Sequence, residues 1–417
     1  MSAKVSVRRH PAPSRAASGS VVLTLSHQSP WPATAGNEYR LRDMIEAMAE
    51  AGHRCIPVIC PLELDGAEQV LPALLAQGVE FVLCDRSGRA MDVAVRDVTW
   101  DESDLGRAAG AREWEQARSR LLGPHLREKE SPFTTPLMRV ALTRLLDKLP
   151  VDAVIANYAF AAGLLDQVEG PLKVVDTHDV LSQQLIPTGD GTRPQPTLTT
   201  EQERMLLEEA DLVVAIQERE ADVLREVVPS VDVVTCGVSF PYRPLPPAPV
   251  DPPTFVVLGS DNALNVAGLR GLLRGAWPLV LRVCPTARLA VAGRLSDHVP
   301  TWAPNTDVLG VVSDPADAYA LARAAVNPTS IGTGLKIKTL EALSFGRPVV
   351  CWPAGADGIA RDAAGLHVAH DATELAAHLI RLCTTAPGTI PAHTSTRRSE
   401  VYAGLLSRLR GERDDAA

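Results

Sequence analysis

Short apolar runs alternate with amphipathic stretches along most of this chain. Val21-Val22-Leu23-Thr24-Leu25-Ser26 is an apolar run rich in β-branched residues that ends in small polar ones, the pattern of a strand buried on both faces. A loop follows with Pro30, Pro32, Gly36 and Asn37. Residues 38–51 then set Leu41, Met44, Ile45 and Met48 at helical spacing, and Gly52 and His53 close that helix. Residues 55–60 read as the next strand. Strand, helix, strand in this rhythm predicts a βαβ unit with a parallel sheet and a right-handed crossover.

The rhythm recurs, with strands expected over 79–84, 153–156, 173–176 and 211–216, and helices over 200–209 and 218–227. Residues 106–148 form a longer helical and more basic stretch, with Arg107, Arg112, Arg118, Arg120, Arg127, Arg139 and Arg144. A solvated helix face accounts for those charges. Between 241 and 253, seven of thirteen residues are proline, which rules out a ladder or a helix interior and makes a semi-rigid spacer. Beyond it a second series gives strands over 255–258, 287–292, 307–310, 325–328 and 348–351, and helices over 266–273, 318–324 and 336–344. The fold class is therefore α/β, with two Rossmann-like doubly wound domains facing a central cleft. The expected divisions are a flexible tail (1–20), a first domain (21–240), the linker (241–253), a second domain (254–395) and a C-terminal helix or tail (396–417) that returns to the first domain. In such sheets ligands bind beyond the carboxyl ends of the strands.

Composition narrows the partners. With 417 residues, 46% hydrophobic and 22% charged, the chain is long enough for two cores and has the balance of a folded protein. A formal charge of −9 and only 4% aromatic residues argue against nucleic acid as a partner. The seven cysteines form no Cys-x-x-Cys pair, so neither a zinc framework nor a disulfide ladder is expected, and a reducing cytoplasm fits. No apolar run approaches the roughly 20 residues of a membrane span, so any membrane contact is expected to be peripheral, at the inner face.

The most informative stretch is 327–350. A strand ends near Pro328, a loop carries Gly332 and Gly334, and a helix begins near Leu335. Free N–H groups at a helix start attract anions, and glycine lets an anion approach the backbone closely. Lys336 and Lys338 add full positive charges in the first turn, where they oppose the helix dipole unless an anion sits between them. A phosphate is the anion expected. The alternative is local: Lys338 pairs with Glu341 at i,i+3 and the glycines only make a turn. His178 follows the strand 173–176 on the ligand side of the sheet, flanked by Asp176 and Asp179, which can orient its ring. A histidine merely satisfying loop backbone is the alternative there.

The run Gly332-Thr333-Gly334-Leu335-Lys336-Ile337-Lys338-Thr339-Leu340-Glu341, with Phe345-Gly346-Arg347-Pro348 after it, resembles the donor-site signature of the family 4 retaining glycosyltransferases. The variant is that of bacterial polysaccharide enzymes, and the architecture it implies is called GT-B. Asp176-Thr177-His178-Asp179, Glu209-Ala210-Asp211 and Gly259-Ser260-Asp261-Asn262 with Asn265 fit as well. The resemblance implies a hexosyltransferase-like enzyme that moves a sugar from a nucleotide diphosphate sugar to a glycan, lipid-linked or small-molecule acceptor hydroxyl with retention, as in polysaccharide biosynthesis. It implies that Glu341 holds the ribose hydroxyls, and that Lys336 or Lys338 neutralises the diphosphate. Backbone near Leu309 and Gly310 edges the base, while Gly332, Thr333, Gly334 and Leu335 face sugar and phosphates. Gly36 and Asn37 reach toward diphosphate or acceptor, and His178 sits by sugar and acceptor hydroxyl. No metal and no cofactor is expected, since no Asp-x-Asp stands where it could hold a diphosphate-bound cation.

Two departures stand out. Thr333 occupies the place where many relatives carry a first glutamate, and the loop 260–265 lacks their Arg and Lys. The diphosphate's positive partners are then Lys336, Lys338 and Arg294, which ends the strand over 289–292. A GT-B sugar-nucleotide epimerase and a non-catalytic nucleotide-sugar-binding protein are the alternatives. A dehydrogenase is disfavoured because no Gly-x-Gly-x-x-Gly follows the first strand.

Overall fold

A parallel strand needs a crossover connection and usually a covered face on each side, and the chain supplies both twice. The computed structural model describes residues 4–7, 19–33, 35–62, 65–86, 90–100, 134–183, 198–331, 334–385, 390–391 and 397–412. The first domain contains β1 (Lys4–Val7), β2 (Val21–Ser26), β3 (Arg54–Ile59), β4 (Phe81–Cys84) and β5 (Ala90–Ala94). It continues with β6 (Val151–Asn157), β7 (Leu172–Asp176), β8 (Leu212–Ala215) and β9 (Asp232–Thr235). The sheet order is β1-β5-β4-β3-β2-β6-β7-β8-β9, parallel except where β5 runs against β4. Leu23 and Leu25 of β2 enter one apolar cluster and Val22 the opposite one, which explains why its sequence is apolar at both phases of the pleat. Helices α1 (Gly36–Glu50), α2 (Gly66–Gln77), α3 (Pro136–Lys148), α4 (Thr200–Leu207) and α5 (Glu218–Val227) belong to this domain.

The second sheet has the order β12-β11-β10-β13-β14-β15 and is parallel throughout. Its strands are β10 (Thr254–Leu258), β11 (Arg288–Ala292), β12 (Thr306–Gly310), β13 (Ala324–Asn327), β14 (Val349–Cys351) and β15 (Leu366–Val368). Its helices are α6 (Ala263–Arg274), α7 (Ala276–Val283), α8 (Pro315–Ala320), α9 (Ile337–Ser344) and α10 (Ala372–Thr384). Trp277 anchors one face against Phe255, ring edge to ring face, with 6.3 Å between centroids.

The chain then crosses back. Helices α11 (Arg398–Val401) and α12 (Ala403–Leu409) lie on the first domain, where Tyr402, Leu405 and Leu406 join the cluster containing Leu41, Met44 and Met48. Arg398 reaches Asp43 at 2.8 Å and Glu46 at 2.7 Å, and also pairs with Glu50, all on α1.

Four expectations change. Inside the stretch read as a flexible tail, Lys4–Val7 pairs in parallel with Ala90–Ala94, an edge strand too short to give a periodic signal. The helix expected over 318–324 ends at Ala320, because Ala324 already starts a strand that pairs with β10. The proline-rich linker is strapped to the second domain: Arg243 and Leu245 donate backbone N–H groups to Ser344 and Phe345 at 2.8 and 3.0 Å, and Arg347 grips the Pro246 carbonyl at 2.6 Å. In the basic stretch, Arg139 is buried rather than solvated, paired with Asp166 at 2.9 Å; Arg107, Arg112, Arg118, Arg120 and Arg127 lie outside the described residues.

Candidate active site

Each sheet reverses its strand order about one central strand: β2 lies between β3 and β6, and β10 between β11 and β13. The crevice beyond the carboxyl ends at such a reversal is where open α/β sheets hold ligands. Here both crevices open into a single cleft of about 580 Å³ between the domains. From the first domain Gly36, Asn37, Tyr158, His178 and Asp179 line it. From the second come Arg294, Gly334, Leu335, Lys336 and Lys338, with the loop after β10 beside them.

Two glycines on the cleft wall bring the domains into close approach. A Cβ added to Gly334 would stand 2.2 Å from Asp179 Oδ1, and one added to Gly36 would stand 3.3 Å from Ile337 Cδ1. A side chain at 334 would crowd the Asp179 carboxylate, and the loop before α9 sits directly under the strand end that carries His178.

Lys336 is the residue immediately before α9, and its Nζ bends back to donate to the Gly334 carbonyl at 2.6 Å. Burial lowers its pKa, while Asp179, Asp357 and Glu220 act in the opposite sense. Asp179 is raised by burial, against the pull of His178 and Lys336. Glu220 on α5 is 2% exposed, and burial, helped by the neighbouring Asp179, pushes it up to about 8. The Val180 N–H compensates it only weakly, and its oxygens find no well-formed hydrogen bond among the described residues. Lys338 Nζ donates to Glu341 Oε2 at 3.1 Å, and the Tyr319 hydroxyl donates to the same oxygen at 3.0 Å. Arg294 Nε donates to Asp261 at 3.3 Å.

His178 is 4% exposed and has a left-handed backbone, φ +59°. Its Nε2 lies 3.1 Å from Asp176 Oδ2, close enough for an ion pair but bent away from hydrogen-bond geometry. Asp176 is fully buried. Burial alone would raise it, but the Arg40 guanidinium and His178 hold it well below the usual carboxylate range. Arg40 Nε donates to both Asp176 oxygens at 3.1 Å, and Asn157 Nδ2 donates at 3.2 Å.

The cleft thus brings together the sequence-derived residues Gly36, Asn37, His178, Arg294, Gly334, Leu335, Lys336 and Lys338. Glu341 stands just behind its wall, 4% exposed and covered by Lys338 and Tyr319. Leu309 and Gly310 end β12 at the sheet edge and are outside the cleft wall; Gly310 accepts the Gly293 N–H at 2.8 Å. Gly332 and Thr333 lie outside the described residues. Sequence reasoning missed Tyr158, Arg40, Glu220 and Tyr319. Tyr158 had a signal, since it follows a buried strand on the ligand side of the sheet. Buried Arg40 and Glu220 sit on helices whose charges read as solvent-facing.

Comparison with known proteins bears on what such a cleft does. Residues 252–385 match the family model described as glycosyl transferases, group 1. A search of curated proteins finds no match. Among solved structures, sucrose-phosphate synthase from Thermosynechococcus elongatus superposes with a TM-score of 0.56 at 16% identity, covering 94% of this chain and 99% of its own. Anabaena HepE in complex with UDP and glucose gives 0.54 at 14%, covering 93% and 95%. The pneumococcal O-GlcNAc transferase GtfA in complex with UDP and GlcNAc gives 0.59 at 9%, covering 94% and 99%. The fold is GT-B, with two Rossmann-like domains across a cleft. No helix among the described residues is long and apolar enough to cross a membrane.

Proposed function

We propose that this chain is a glycosyltransferase that takes a sugar from a nucleotide diphosphate sugar and passes it to an acceptor hydroxyl. The observation that carries this reading is the convergence on one cleft of Lys336, Lys338 and the Gly334 loop with His178 and Asn37 of the facing domain. The group 1 match over 252–385 spans that whole loop and helix, and solved structures of the same fold hold UDP with a sugar.

The second domain binds the donor. Glu341 accepts the ribose hydroxyls through its carboxylate oxygens. Lys336 and Lys338 at the start of α9 neutralise the diphosphate and the charge that builds on it as the sugar leaves. Arg294 adds a further cation at the cleft rim. The lysines, rather than a bound cation, are the diphosphate's partners in this reading. On the first domain, His178 meets the sugar and the acceptor hydroxyl.

Transfer proceeds with retention as in family 4. The bond between the anomeric carbon and the diphosphate oxygen breaks, the acceptor oxygen bonds to that carbon from the same face, and the acceptor proton passes to the departing diphosphate. Closure of the domains excludes water and so suppresses donor hydrolysis. A glycan or lipid-linked acceptor fits, in the cytoplasm or at the inner membrane face.

Thermal-shift screening against UDP, GDP, dTDP and their sugars tests the donor half. A rise with one nucleotide series is expected, and no response to any member would sink the reading. Nucleotide release that requires an added acceptor separates transfer from epimerisation, which needs none. A non-catalytic binder would release no nucleotide with either.

A further inference from the structure

Tyr158 and His178 stand side by side at the carboxyl ends of β6 and β7, whose last residues, Asn157 and Asp176, are register partners. Both have a left-handed backbone, φ +70° and +59°. That region is unfavourable for ring-bearing side chains, and it persists only where the surroundings impose it, commonly at functional sites. Here it turns both rings into contact. Their centroids are 4.2 Å apart with 11° between the planes, and His27 lies 5.4 Å from the Tyr158 centroid. The Tyr158 hydroxyl accepts from Asn37 Nδ2 at 3.3 Å, at the start of α1 on the cleft wall.

The bent contact with Asp176 fixes one imidazole nitrogen but leaves the ring free to swing about it, since the second side-chain torsion of histidine is broad. A parallel aromatic face removes that freedom. We propose that Tyr158 is a positioning residue: its ring holds the plane of the His178 imidazole, and its hydroxyl ties that plane to Asn37. This rests on the reading of His178 as the group that meets sugar and acceptor.

The test uses the full chain carrying Tyr158→Leu, Tyr158→Phe, His178→Ala or the Leu/Ala pair. Ligand-free proton NMR of the His178 ring, assigned by its loss in His178→Ala, reads the stack directly. Wild type and Tyr158→Phe are expected to keep upfield ring protons, and Tyr158→Leu to move them downfield. With the nucleotide sugar that gives the largest thermal shift in the panel above, Tyr158→Leu is expected to lower kcat about 10- to 100-fold with little change in KM. Added to His178→Ala it should lower kcat no further. Unmoved ring protons, or a full additional loss in the His178→Ala background, would overturn the proposal. If His178→Ala itself turns over like wild type, the role of His178 falls, and with it the catalytic purpose of the stack. Should Tyr158→Leu fail to fold, Tyr158→Met fills the site with a longer, more adaptable chain without the ring and is judged by the same outcomes.

Discussion

Lys338 Nζ donates to Glu341 Oε2 at 3.1 Å, so the acid assigned to the ribose already holds a base assigned to the diphosphate. The local i,i+3 ion pair and the donor grip are therefore one arrangement. Tyr319 donates to the same oxygen at 3.0 Å. With Oε2 doubly engaged, Oε1 is the oxygen left to accept a ribose hydroxyl. Hydrogen bonds to charged groups contribute about 1.5–3 kcal/mol, so Glu341→Gln is expected to weaken nucleotide binding by about 10- to 100-fold. Tyr319→Phe, which removes only the orienting donor, should weaken it less. Isothermal calorimetry with the nucleotide found by screening checks both, and equal affinity in Glu341→Gln would remove Glu341 from the site.

Gly334 is a point of close approach between the domains. Because its Cβ would stand 2.2 Å from Asp179 Oδ1, Gly334→Ala must displace the Asp179 carboxylate or the loop itself. The expected result is a loss of nucleotide affinity and of kcat together, with thermal stability nearly kept. Gly271 is the control, since it lies in α6 with nothing within 4 Å of an added Cβ. Gly271→Ala is expected to stabilise by about 0.4–1 kcal/mol without touching activity. Matching behaviour of the two variants would mean that the close approach is irrelevant.

The fold was legible because its signals are local and repeated. Buried parallel strands such as β2 must be largely apolar on both faces, and that shows in Val21, Val22, Leu23 and Leu25. The loop at Gly334 and the two lysines at the start of α9 were legible for the same reason. The short strand Lys4–Val7 was not, because four residues at a sheet edge carry almost no pattern and the pairing with β5 is remote in sequence. Nor was the Tyr158–His178 stack, which depends on two strand ends being neighbours and both backbones being left-handed. Arg40 and Glu220 were hidden by the usual rule that charges on helices face water; here Arg40 pairs with buried Asp176, and Glu220 is buried within electrostatic reach of Lys336.

Glu220 gives a pH signature. Its carboxyl sits at about 8 in the folded chain, raised first by burial and then by Asp179. Between the ordinary glutamate value and about 8 the folded state holds a proton that the unfolded state has lost, so this group's contribution to stability falls as pH rises through that window and levels off above it. Glu220→Gln keeps the shape without the charge. Its urea midpoint should match wild type at low pH and pull ahead as pH rises toward 8. A constant offset between the two curves would mean that Glu220 ionises normally.

Arg40 and Asp176 form a fully buried pair, and the guanidinium also donates to the Cys236 and Gly237 carbonyls at 2.7 and 2.8 Å. Removing one partner of such a pair leaves an uncompensated charge. Arg40→Met is expected to cost about 3–5 kcal/mol, and adding Asp176→Asn should recover part of it. Urea unfolding followed by circular dichroism measures both. A loss under about 1 kcal/mol for Arg40→Met would show that the charge is not confined as described.

The grip of Lys336 and Lys338 on the diphosphate is tested most directly by calorimetric titration of the Lys336→Ala/Lys338→Ala double variant with the nucleotide diphosphate that binds wild type. Loss of two charge-assisted contacts should weaken affinity by about 100-fold or more, with the thermal unfolding midpoint little changed and a steeper salt dependence in wild type than in the variant. Unchanged affinity in a folded double variant would contradict the assignment of residues 332–341 as the donor grip, whatever the fold.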